Sequence, residues 1–435
     1  MNENQNGEFV RAEKQKAILV GLNVEDKDNF MTIEDSMREL QDLAETAGAT
    51  VVHIVIQNRQ RVDSAYYIGK GKAEEIRILC EELDAELVIF NDELSGAQLR
   101  NLEEVVEAAV IDRTALILDI FAQRAQSKEG KLQVELAQLQ YRLPRLIGLG
   151  KSLSRTGGGI GTRGPGEQKL DIDRRHVLNR IRDIQSQIKD IKKNRETQRT
   201  KRKKSEIPTI ALVGYTNSGK STLMNQIMEM CSFQQEEKKV YVEDMLFATL
   251  DTAHRKIVFP NKEEAILIDT VGFVSKLPHT LIEAFKATLE EVQYADLLLH
   301  VVDATNQNHE MQIKVTQQVL KELNAESKPT IVVFNKIDRL DASDDIALPR
   351  GEMIAYVSAL KKMGMEHLIS KMEKVLFQDM RRAVLCIPYQ RGDIVSYLCE
   401  KTNVQRKEYQ ADGVLIETKL RTADYQKYLN YIVDK

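Results

Sequence analysis

The chain carries, at residues 209–222, the stretch Thr209-Ile210-Ala211-Leu212-Val213-Gly214-Tyr215-Thr216-Asn217-Ser218-Gly219-Lys220-Ser221-Thr222. Its apolar first part predicts a buried strand, its glycine-rich middle predicts a loop, and its last residues predict the start of a helix. This is the complete GxxxxGK[ST] pattern in its required context, in which backbone N–H groups surround phosphate oxygens. We expect Lys220 to reach the β- and γ-phosphates of a nucleotide and the Ser221 hydroxyl to bind Mg²⁺. All residues from Gly214 to Thr222 are candidate nucleotide-binding residues.

A second strand delivers an acidic residue to the same site. The apolar run Ala265–Ile268 is followed by Asp269-Thr270-Val271-Gly272. At the end of a strand, the Asp269 carboxylate can reach Mg²⁺ directly or through water. The Gly272 amide can meet the γ-phosphate, because no side chain keeps the backbone away. This DxxG pattern, in order after the phosphate loop, predicts a magnesium and γ-phosphate site.

A third strand supplies a base-recognition pattern. Thr330–Phe334 reads as a buried strand and ends in Asn335-Lys336-Ile337-Asp338. The Asp338 carboxylate can accept hydrogen bonds from the ring N–H and the exocyclic amine of guanine, whereas adenine offers no such pair of donors. Further on, the backbone of Ser358-Ala359-Leu360 is expected at the guanine oxygen. The predicted nucleotide is therefore GTP, which disfavours a metabolic ATPase.

The first switch segment is expected between the phosphate loop and Asp269. Phe247-Ala248-Thr249-Leu250-Asp251-Thr252 lies where a threonine must complete the Mg²⁺ shell and sense the γ-phosphate. We expect Thr249 in this role, with Thr252 as the substitute, and Phe247 beside the nucleotide. The predicted catalytic residues are Lys220, Thr249 and Gly272, and the predicted metal ligands are Ser221, Thr249 and Asp269.

Phe273 occupies the position directly after DxxG where many GTPases place the glutamine that orients the attacking water. A phenyl ring cannot hydrogen-bond a nucleophile, so two interpretations stay open. One is a binding switch with negligible turnover, and the other is hydrolysis in which a cation or a partner surface supplies positioning and charge. Asn217 stands where potassium-activated GTPases carry an asparagine that helps to hold K⁺. We expect slow intrinsic hydrolysis that a macromolecular partner raises.

Residues 1–125 alternate between short β-branched runs and helical patterns, which predicts an α/β domain with a parallel sheet covered by helices. The predicted strands are Ala17–Leu22, Thr50–Gln57, Glu86–Phe90 and Ala108–Ile111, and the predicted helices are Met31–Thr46, Lys72–Leu83, Ala97–Ala108 and Thr114–Gln123. Gly69-Lys70-Gly71-Lys72 opens one of these helices. We expect a capping turn there, and the alternative is a site for a phosphate of a second nucleotide.

Residues 126–205 change to a helical pattern with a narrow apolar seam. Apolar residues recur at steps of four and three on both sides of a glycine-dense break: Leu132, Leu136, Leu139, Leu143, Val177, Ile181, Ile184, Ile188 and Ile191. Such seams pair two helices, so we expect an antiparallel hairpin in which Pro144 stops the first helix and Gly157–Gly166 forms a long tip loop. Because the tip is basic, it suits contact with RNA phosphates. The candidate RNA-binding residues are Arg142, Arg145, Lys151, Arg155 and Arg163.

Residues 206–380 are predicted to form the P-loop domain, and residues 381–435 a small α+β domain. The latter has strand candidates at Ala383–Pro388 and Gly413–Thr418 and a helix candidate at Gly392–Lys401. The 435-residue chain has a net charge of −4, four scattered cysteines, a polar amino terminus and no apolar stretch of bilayer length. We therefore expect a cytoplasmic protein without membrane attachment. The hairpin seam is satisfied within one chain, which favours a monomer.

These patterns together resemble those of the HflX family of ribosome-associated GTPases. The resemblance covers about residues 15–375 and rests on Gly157-Gly158-Gly159-Ile160-Gly161-Thr162-Arg163-Gly164-Pro165-Gly166-Glu167, Tyr67-Ile68-Gly69-Lys70-Gly71-Lys72, Asn91-Asp92-Glu93-Leu94-Ser95, Phe247-Ala248-Thr249-Leu250-Asp251 and Asp269-Thr270-Val271-Gly272-Phe273. The sequence departs from the family at one point. The family usually continues its first switch with Asp-Pro-Thr, whereas Asp251 is followed here by Thr252-Ala253, which concerns the switch contacts rather than the nucleotide chemistry.

The resemblance implies a ribosomal partner. It implies that the chain binds the large ribosomal subunit and its RNA, with the first domain and the hairpin near the peptidyl-transferase centre. Family members split idle or stalled ribosomes, and some are associated with resistance to ribosome-targeting antibiotics, so part of the protein is expected on ribosomes. Two alternatives stay open, namely an assembly GTPase that acts on precursor subunits and a non-catalytic GTP-gated binding module.

Overall fold

The computed structural model describes residues 15–24, 31–147, 165–204, 207–231, 247, 253–276, 289, 291–340, 348–378, 380–402 and 404–433. In chain order, these residues form a parallel sheet, a pair of helices, a larger and mostly parallel sheet, and a small antiparallel sheet. The predicted α/β class, with its helical hairpin and its small α+β end, is confirmed. Among the helices described, none is both long and apolar enough to cross a membrane.

The first sheet is parallel, with the strand order β2-β1-β3-β4. Its strands and helices are β1 (Lys16–Val24), α1 (Ile33–Thr46), β2 (Thr50–Arg59), α2 (Lys70–Leu83), β3 (Leu87–Phe90), α3 (Gly96–Val106), β4 (Ala109–Asp112) and α4 (Arg113–Arg124). Each predicted element is present within a few residues of its predicted bounds. Apolar residues of α1 and α4 join one core cluster and those of α2 and α3 join another, so helices cover both faces of the sheet.

The helical pair consists of α5 (Lys128–Ile147) and α6 (Pro165–Lys204). All the predicted seam residues meet in one apolar cluster between the two helices. The prediction that Pro144 stops the first helix is wrong, because Pro144 lies inside α5. Proline removes the amide hydrogen bond to the carbonyl oxygen four residues earlier, but Arg145 fixes this turn by donating to the carbonyl oxygens of Tyr141 and Leu94. Residues 148–164, most of the predicted tip, lie outside the described residues.

The second sheet has the strand order β10-β9-β8-β5-β7-β6, in which β6 is antiparallel to β7 and the other pairs are parallel. Its elements are β5 (Thr209–Gly214), α7 (Lys220–Cys231), β6 (Ala253–Val258), β7 (Glu264–Asp269), β8 (Leu297–Asp303), α8 (His309–Glu322), β9 (Thr330–Asn335), β10 (Ile354–Tyr356) and α9 (Met365–Leu376). The phosphate loop follows the central strand β5, DxxG follows its neighbour β7, and NKxD follows β9. Because the carboxyl ends of parallel strands meet at one edge, this order brings the three loops together.

The third sheet is antiparallel, with the strand order β11-β13-β12. Its elements are β11 (Arg381–Ile387), α10 (Gly392–Lys401), β12 (Val404–Gln410), β13 (Gly413–Leu420) and α11 (Thr422–Lys427). Sequence reasoning missed β12, because the polar run Gln405-Arg406-Lys407-Glu408 shows no apolar alternation. As an edge strand that exposes most of its residues, β12 does not need this alternation.

Candidate nucleotide site

Two glycines shape the phosphate loop between β5 and α7. Gly214 has a φ of +146° and Gly219 a φ of +88°, which are angles that residues with a side chain rarely adopt. A Cβ atom at Gly214 would collide with the Val301 carbonyl oxygen, and one at Gly219 would collide with Asn335 Nδ2. Both positions therefore require glycine, which lets the loop curl tightly enough to surround a phosphate.

Lys220 lies at the first position of α7, with its side chain buried under the loop. Its Nζ donates to the carbonyl oxygens of Gly214, at 3.1 Å, and Tyr215, at 2.8 Å. Burial lowers the pKa of Lys220 to about 8, and the nearby Asp269 carboxylate opposes this shift. Because this pKa still exceeds neutral pH, the side chain holds a positive charge at the centre of the loop, as phosphate binding requires.

Ser221 and Asp269 form the predicted metal pair. The Ser221 Oγ donates to Asp269 Oδ2 over 2.7 Å, although α7 supplies one residue and β7 the other. A hydroxyl oxygen beside a carboxylate oxygen is a donor set that Mg²⁺ favours. The two residues therefore fit the magnesium ion that accompanies GTP. Thr249, the third predicted ligand, and its substitute Thr252 lie outside the described residues.

Gly272 packs directly against the phosphate loop. A Cβ atom there would lie 2.8 Å from Thr216 Cα and 2.9 Å from Lys220 Nζ, so the close approach requires glycine. The next residue, Phe273, forms two backbone hydrogen bonds with the loop. Its N–H donates to the Gly214 oxygen at 3.1 Å, and its carbonyl oxygen accepts from Thr216 N at 2.8 Å. The structure thus brings Gly272 next to Lys220, as a contact with the terminal phosphate would require.

The base-recognition pattern is tied to the phosphate loop through Asn335. Its Nδ2 donates to the Ser218 oxygen at 3.0 Å, and its Oδ1 accepts from Ala359 N at 3.1 Å. A hydrogen bond from Ser358 holds the pKa of Asp338 below its ordinary value, so this carboxyl is ionised at neutral pH, as guanine recognition requires. Leu360, the last residue of the predicted contact with the guanine oxygen, is 70% exposed.

Asp303 is a residue of the site that sequence reasoning missed. The Lys336 Nζ donates to Asp303 Oδ2 at 2.8 Å and to the Asn217 oxygen at 2.7 Å, so it joins the ends of β8 and β9 to the phosphate loop. The signal for Asp303 is its place at the end of β8, next to β5 in the sheet, and it becomes visible only with the strand order. Asn217 has a φ of +57°, which is uncommon for a residue other than glycine.

The remaining loop residues differ in where their side chains point. The Ser218 Oγ donates to the Tyr215 oxygen at 2.9 Å and so stays within the loop. The Tyr215 ring leaves the loop, and its hydroxyl accepts from Ser275 N at 2.7 Å. Thr216 has a buried Oγ1 for which the described residues provide no hydrogen-bond partner. Thr222 is partly buried in the first turn of α7.

Two aromatic residues of the predicted switch regions pack against the N-terminal part of the chain. The buried Phe247 ring meets the Phe121 ring of α4 edge to face, with centroids 4.6 Å apart and planes at 77°. Phe273 is 1% exposed and belongs to the same apolar cluster as α4. This packing favours a structural role for the Phe247 side chain over the predicted nucleotide contact. It also explains why an aromatic residue occupies position 273, where other GTPases carry glutamine.

The predicted RNA-binding residues fall into three groups. Arg142 is exposed on α5. Arg145 turns inward, where its Nη2 donates to the Leu94 oxygen at 2.8 Å and to Asp112 Oδ2 at 2.9 Å. Because the protein itself occupies this guanidinium, the structure does not support the prediction that Arg145 contacts RNA, and Arg145 is an anchor of the hairpin instead. The third group, Lys151, Arg155 and Arg163, lies outside the described residues.

The alternative phosphate site at the start of α2 is disfavoured. Gly69 caps α2, and its amide donates to Gln57 Oε1 at 2.9 Å. An amide that already has a partner within the protein is not available to a phosphate oxygen. This geometry favours the capping turn.

Family models and relatives of known sequence match nearly the whole chain. Three family models match consecutive parts of it: "GTP-binding GTPase N-terminal" at residues 34–122, "GTP-binding GTPase Middle Region" at 124–202 and "50S ribosome-binding GTPase" at 209–336. The chain is 47% identical over 427 residues to GTPase HflX of Caldanaerobacter subterraneus, which covers 98% of this chain and 96% of the relative. It is 40% identical over 422 residues to GTPase HflX of Escherichia coli, which covers 95% of each.

Among solved structures, a GTP-binding protein from the archaeon Sulfolobus solfataricus in complex with GDP is similar to 84% of this chain and 99% of its own, at 25% identity and a TM-score of 0.43. The family assignment rests on the two HflX relatives, because their sequence identity extends over nearly the full length of this chain and of each relative. The chain therefore belongs to the HflX family of GTP-hydrolysing GTPases.

Proposed function

We propose that this GTPase binds the large ribosomal subunit and its RNA, and that it dissociates or rescues stalled or idle ribosomes with hydrolysis that the subunit stimulates. The description of one matching family model, a 50S ribosome-binding GTPase, supports the partner. We further propose a cytoplasmic monomer with domain boundaries near residues 125, 205 and 380.

The observation that carries this proposal is the anchoring of α5 at the end that leads into the predicted tip of the hairpin. Asp112, at the end of β4, accepts from Arg145 Nη2, from Tyr141 Oη at 2.6 Å and from Leu94 N at 3.0 Å. The Arg145 guanidinium also lies over the Tyr141 ring, 3.4 Å from its centroid. These contacts fix the end of α5 to the first sheet, so the basic residues that follow it in sequence start from a held position, which suits contact with RNA phosphates.

At the nucleotide site, we assign guanine recognition to Asp338 and magnesium binding to Ser221, Asp269 and Thr249. When bound, Mg²⁺ neutralises the charge that develops on the phosphate oxygens. Lys220 supplies a second positive charge there, and Gly272 supplies a backbone amide. The asparagine at position 217, where potassium-activated GTPases carry one, supports K⁺ as an activating ion.

GTP turnover by the full chain, with and without purified large ribosomal subunits in potassium buffer, tests the proposal. We expect subunits to raise turnover by about tenfold or more, and we expect assembled ribosomes incubated with GTP to sediment as separate subunits. The variant Arg155→Gln/Arg163→Gln should keep its intrinsic turnover and lose the stimulation. Lys314→Gln/Lys321→Gln, which removes the same charge from an exposed face of α8, should retain both activities.

The outcomes also separate the alternatives. No stimulation by mature subunits, with GTP binding intact, contradicts the proposal. Stimulation by precursor subunits alone would instead indicate an assembly GTPase. GTP-dependent binding to subunits without turnover under any condition would indicate a GTP-gated binding module.

A further inference from the structure

Asn217 and Lys336 both have a left-handed backbone, and one hydrogen bond joins them. Asn217 has a φ of +57° and Lys336 a φ of +64°. Residues with a side chain adopt such angles rarely, and they keep them where the surrounding structure holds them in place. Lys336 Nζ donates to the Asn217 carbonyl oxygen at 2.7 Å. The second residue of the NKxD element therefore holds the rim of the phosphate loop.

Asp303 supplies the counter-charge of Lys336. Its Oδ2 accepts from Lys336 Nζ at 2.8 Å, and the two side chains are only 17% and 18% exposed, so water screens this ion pair weakly. Its Oδ1 accepts from Thr305 N at 3.0 Å and from Thr305 Oγ1 at 2.7 Å. Both oxygens of the carboxylate are in use, which fixes its orientation.

The register of the second sheet places Asp303 beside Lys336. Asp303 ends β8 opposite Asn335, which ends β9, and Lys336 follows Asn335 directly. One residue further, Ala304 N donates to the Asn335 oxygen at 2.9 Å. Backbone pairing therefore sets a carboxylate at the last position of β8 next to the NKxD element.

A lysine side chain alone is a weak support for a loop. It has a flexible four-carbon stem and a strongly hydrated ammonium group, so fixing it in one geometry costs conformational entropy. A single carbonyl oxygen carries no net charge to offset the loss of water around the ammonium group, whereas a carboxylate does. Asp303 thus stabilises the hydrogen bond between Lys336 and Asn217.

The residue before Lys336 adds a second link that does not involve Asp303. Asn335 Nδ2 donates to the Ser218 oxygen at 3.0 Å. The end of β9 therefore holds two consecutive residues of the phosphate loop, of which Ser218 is buried and Asn217 exposed. Loss of Asp303 should loosen the exposed rim at Asn217 and leave the buried part of the loop in place.

We propose that Asp303 is a positioning residue for guanine nucleotide binding, and that it acts through Lys336 to fix Asn217 against the NKxD element. It thereby joins the base-recognition element and the phosphate loop into one preformed site. A preformed site binds more tightly, because binding does not have to order it.

The effect should fall on affinity rather than on the chemical step. The hydrogen bonds of Asp303 go to Lys336 and Thr305, and not to Lys220 or Gly272, which are placed to meet the reacting phosphate. A residue that supports nucleotide and transition state equally changes KM and leaves kcat unchanged. The proposal concerns nucleotide binding and is independent of the ribosomal partner.

Nucleotide binding and intrinsic turnover by the full chain test this role with Asp303→Asn, which keeps the size of the side chain and removes its charge. We expect the dissociation constant of a fluorescent GDP analogue to rise by about tenfold, mainly through faster release, because a hydrogen bond between charged groups is lost. KM for GTP should rise in parallel, and kcat at saturating GTP should stay within about twofold of the parent value. A role in folding alone would lower the melting temperature without this split between KM and kcat.

A double-variant cycle tests whether Lys336 transmits the effect. Lys336→Met/Asp303→Asn should bind the GDP analogue no more weakly than Lys336→Met alone, because both changes break one contact. Losses of affinity that add in the double variant would contradict this route.

Asp296→Asn is the matched control. Asp296 directly precedes β8, at the end of the strand away from the NKxD element, and its Oδ2 accepts from Thr209 N at 2.7 Å. This variant should keep the parent affinity for the GDP analogue. If Asp303→Asn does not fold, Thr305→Val replaces it, because it removes a hydrogen bond that orients Asp303, and it should raise the dissociation constant by about twofold or more. An unchanged dissociation constant, an equal rise in Asp296→Asn, or a fall in kcat without loss of affinity overturns the proposal.

Discussion

Two consecutive residues at the start of α4 enter two ion pairs with different tasks. Asp112 pairs with Arg145 at 2.9 Å and joins the hairpin to the first sheet. Arg113 pairs with Glu39 and binds Ser275, so it joins the first sheet to the loop after Gly272. One short stretch of backbone therefore connects the hairpin that we propose to reach RNA with the segment that we propose to meet the γ-phosphate.

The two pairs differ in what remains when one partner is lost. Without Arg145, Asp112 keeps hydrogen bonds from Tyr141 Oη, Leu94 N and Ala115 N. Without Arg113, Glu39 keeps its bonds from Ser275, but its charge stays buried without a cation. Both carboxylates then lack a buried cation, and Asp112, which keeps donors from three residues, tolerates this better than Glu39. Because both pairs span 2.9 Å, we expect burial and the remaining donors, rather than distance, to decide how much stability is lost with one partner.

The largest expected effect is that of Arg113→Ala. Removal of one partner from a buried pair leaves the other charge uncompensated, so we expect the free energy of unfolding to fall by about 3–5 kcal/mol. Urea unfolding of the full chain measures this loss. The neutral pair Glu39→Gln/Arg113→Gln should lose much less, and a loss below about 1 kcal/mol for Arg113→Ala would show that the pair is not effectively buried.

Arg145→Ala should have a smaller effect on stability and a different effect on activity. Since Asp112 keeps three donors, we expect a loss of about 1–3 kcal/mol in the same unfolding experiment. Intrinsic GTP turnover should be unchanged, while stimulation by large subunits should fall because the end of α5 that leads into the predicted tip is no longer fixed to the first sheet. A loss of stability equal to that of Arg113→Ala, or full stimulation, would break the distinction between the two pairs.

Arg180→Gln should have the smallest effect. Arg180 forms two hydrogen bonds with Glu135 across the hairpin, at 2.6 and 2.9 Å, but both side chains are largely exposed. Water screens such pairs, so we expect no measurable change in the urea midpoint or in subunit-stimulated turnover. A decrease in stability as large as that of Arg145→Ala would mean that short distances outweigh burial in this protein.

The nucleotide site could be predicted from the sequence because each of its parts is local. Gly214, Gly219 and Lys220 lie on one loop directly after a strand, and Asp269 and Asp338 each follow a strand of their own. Parallel strands then bring these loops to one edge of the sheet without any further information. The same local reasoning failed at Pro144, where a helix stop was overridden by the contacts that anchor Arg145 to the first sheet.

The contact between the first sheet and the GTPase sheet could not be predicted in this way. Glu39 and Ser275 are 236 residues apart, and a single glutamate on an amphipathic helix reads as a solvated side chain. One signal did exist in the segment Asn91-Asp92-Glu93-Leu94-Ser95, which resembles a family element. In the structure, Asn91 accepts from Arg113 and Asp92 pairs with Lys276, so this segment lies at the contact. Its sequence alone does not indicate which residues it faces.

GTP turnover by the full chain with saturating large ribosomal subunits, in potassium buffer, tests most directly whether this GTPase is driven by the ribosome. We predict a rise of about tenfold or more over the intrinsic rate, and the loss of that rise in Arg155→Gln/Arg163→Gln. Turnover that stays at the intrinsic rate, with tight GTP binding and subunit binding both intact, would contradict the proposed function.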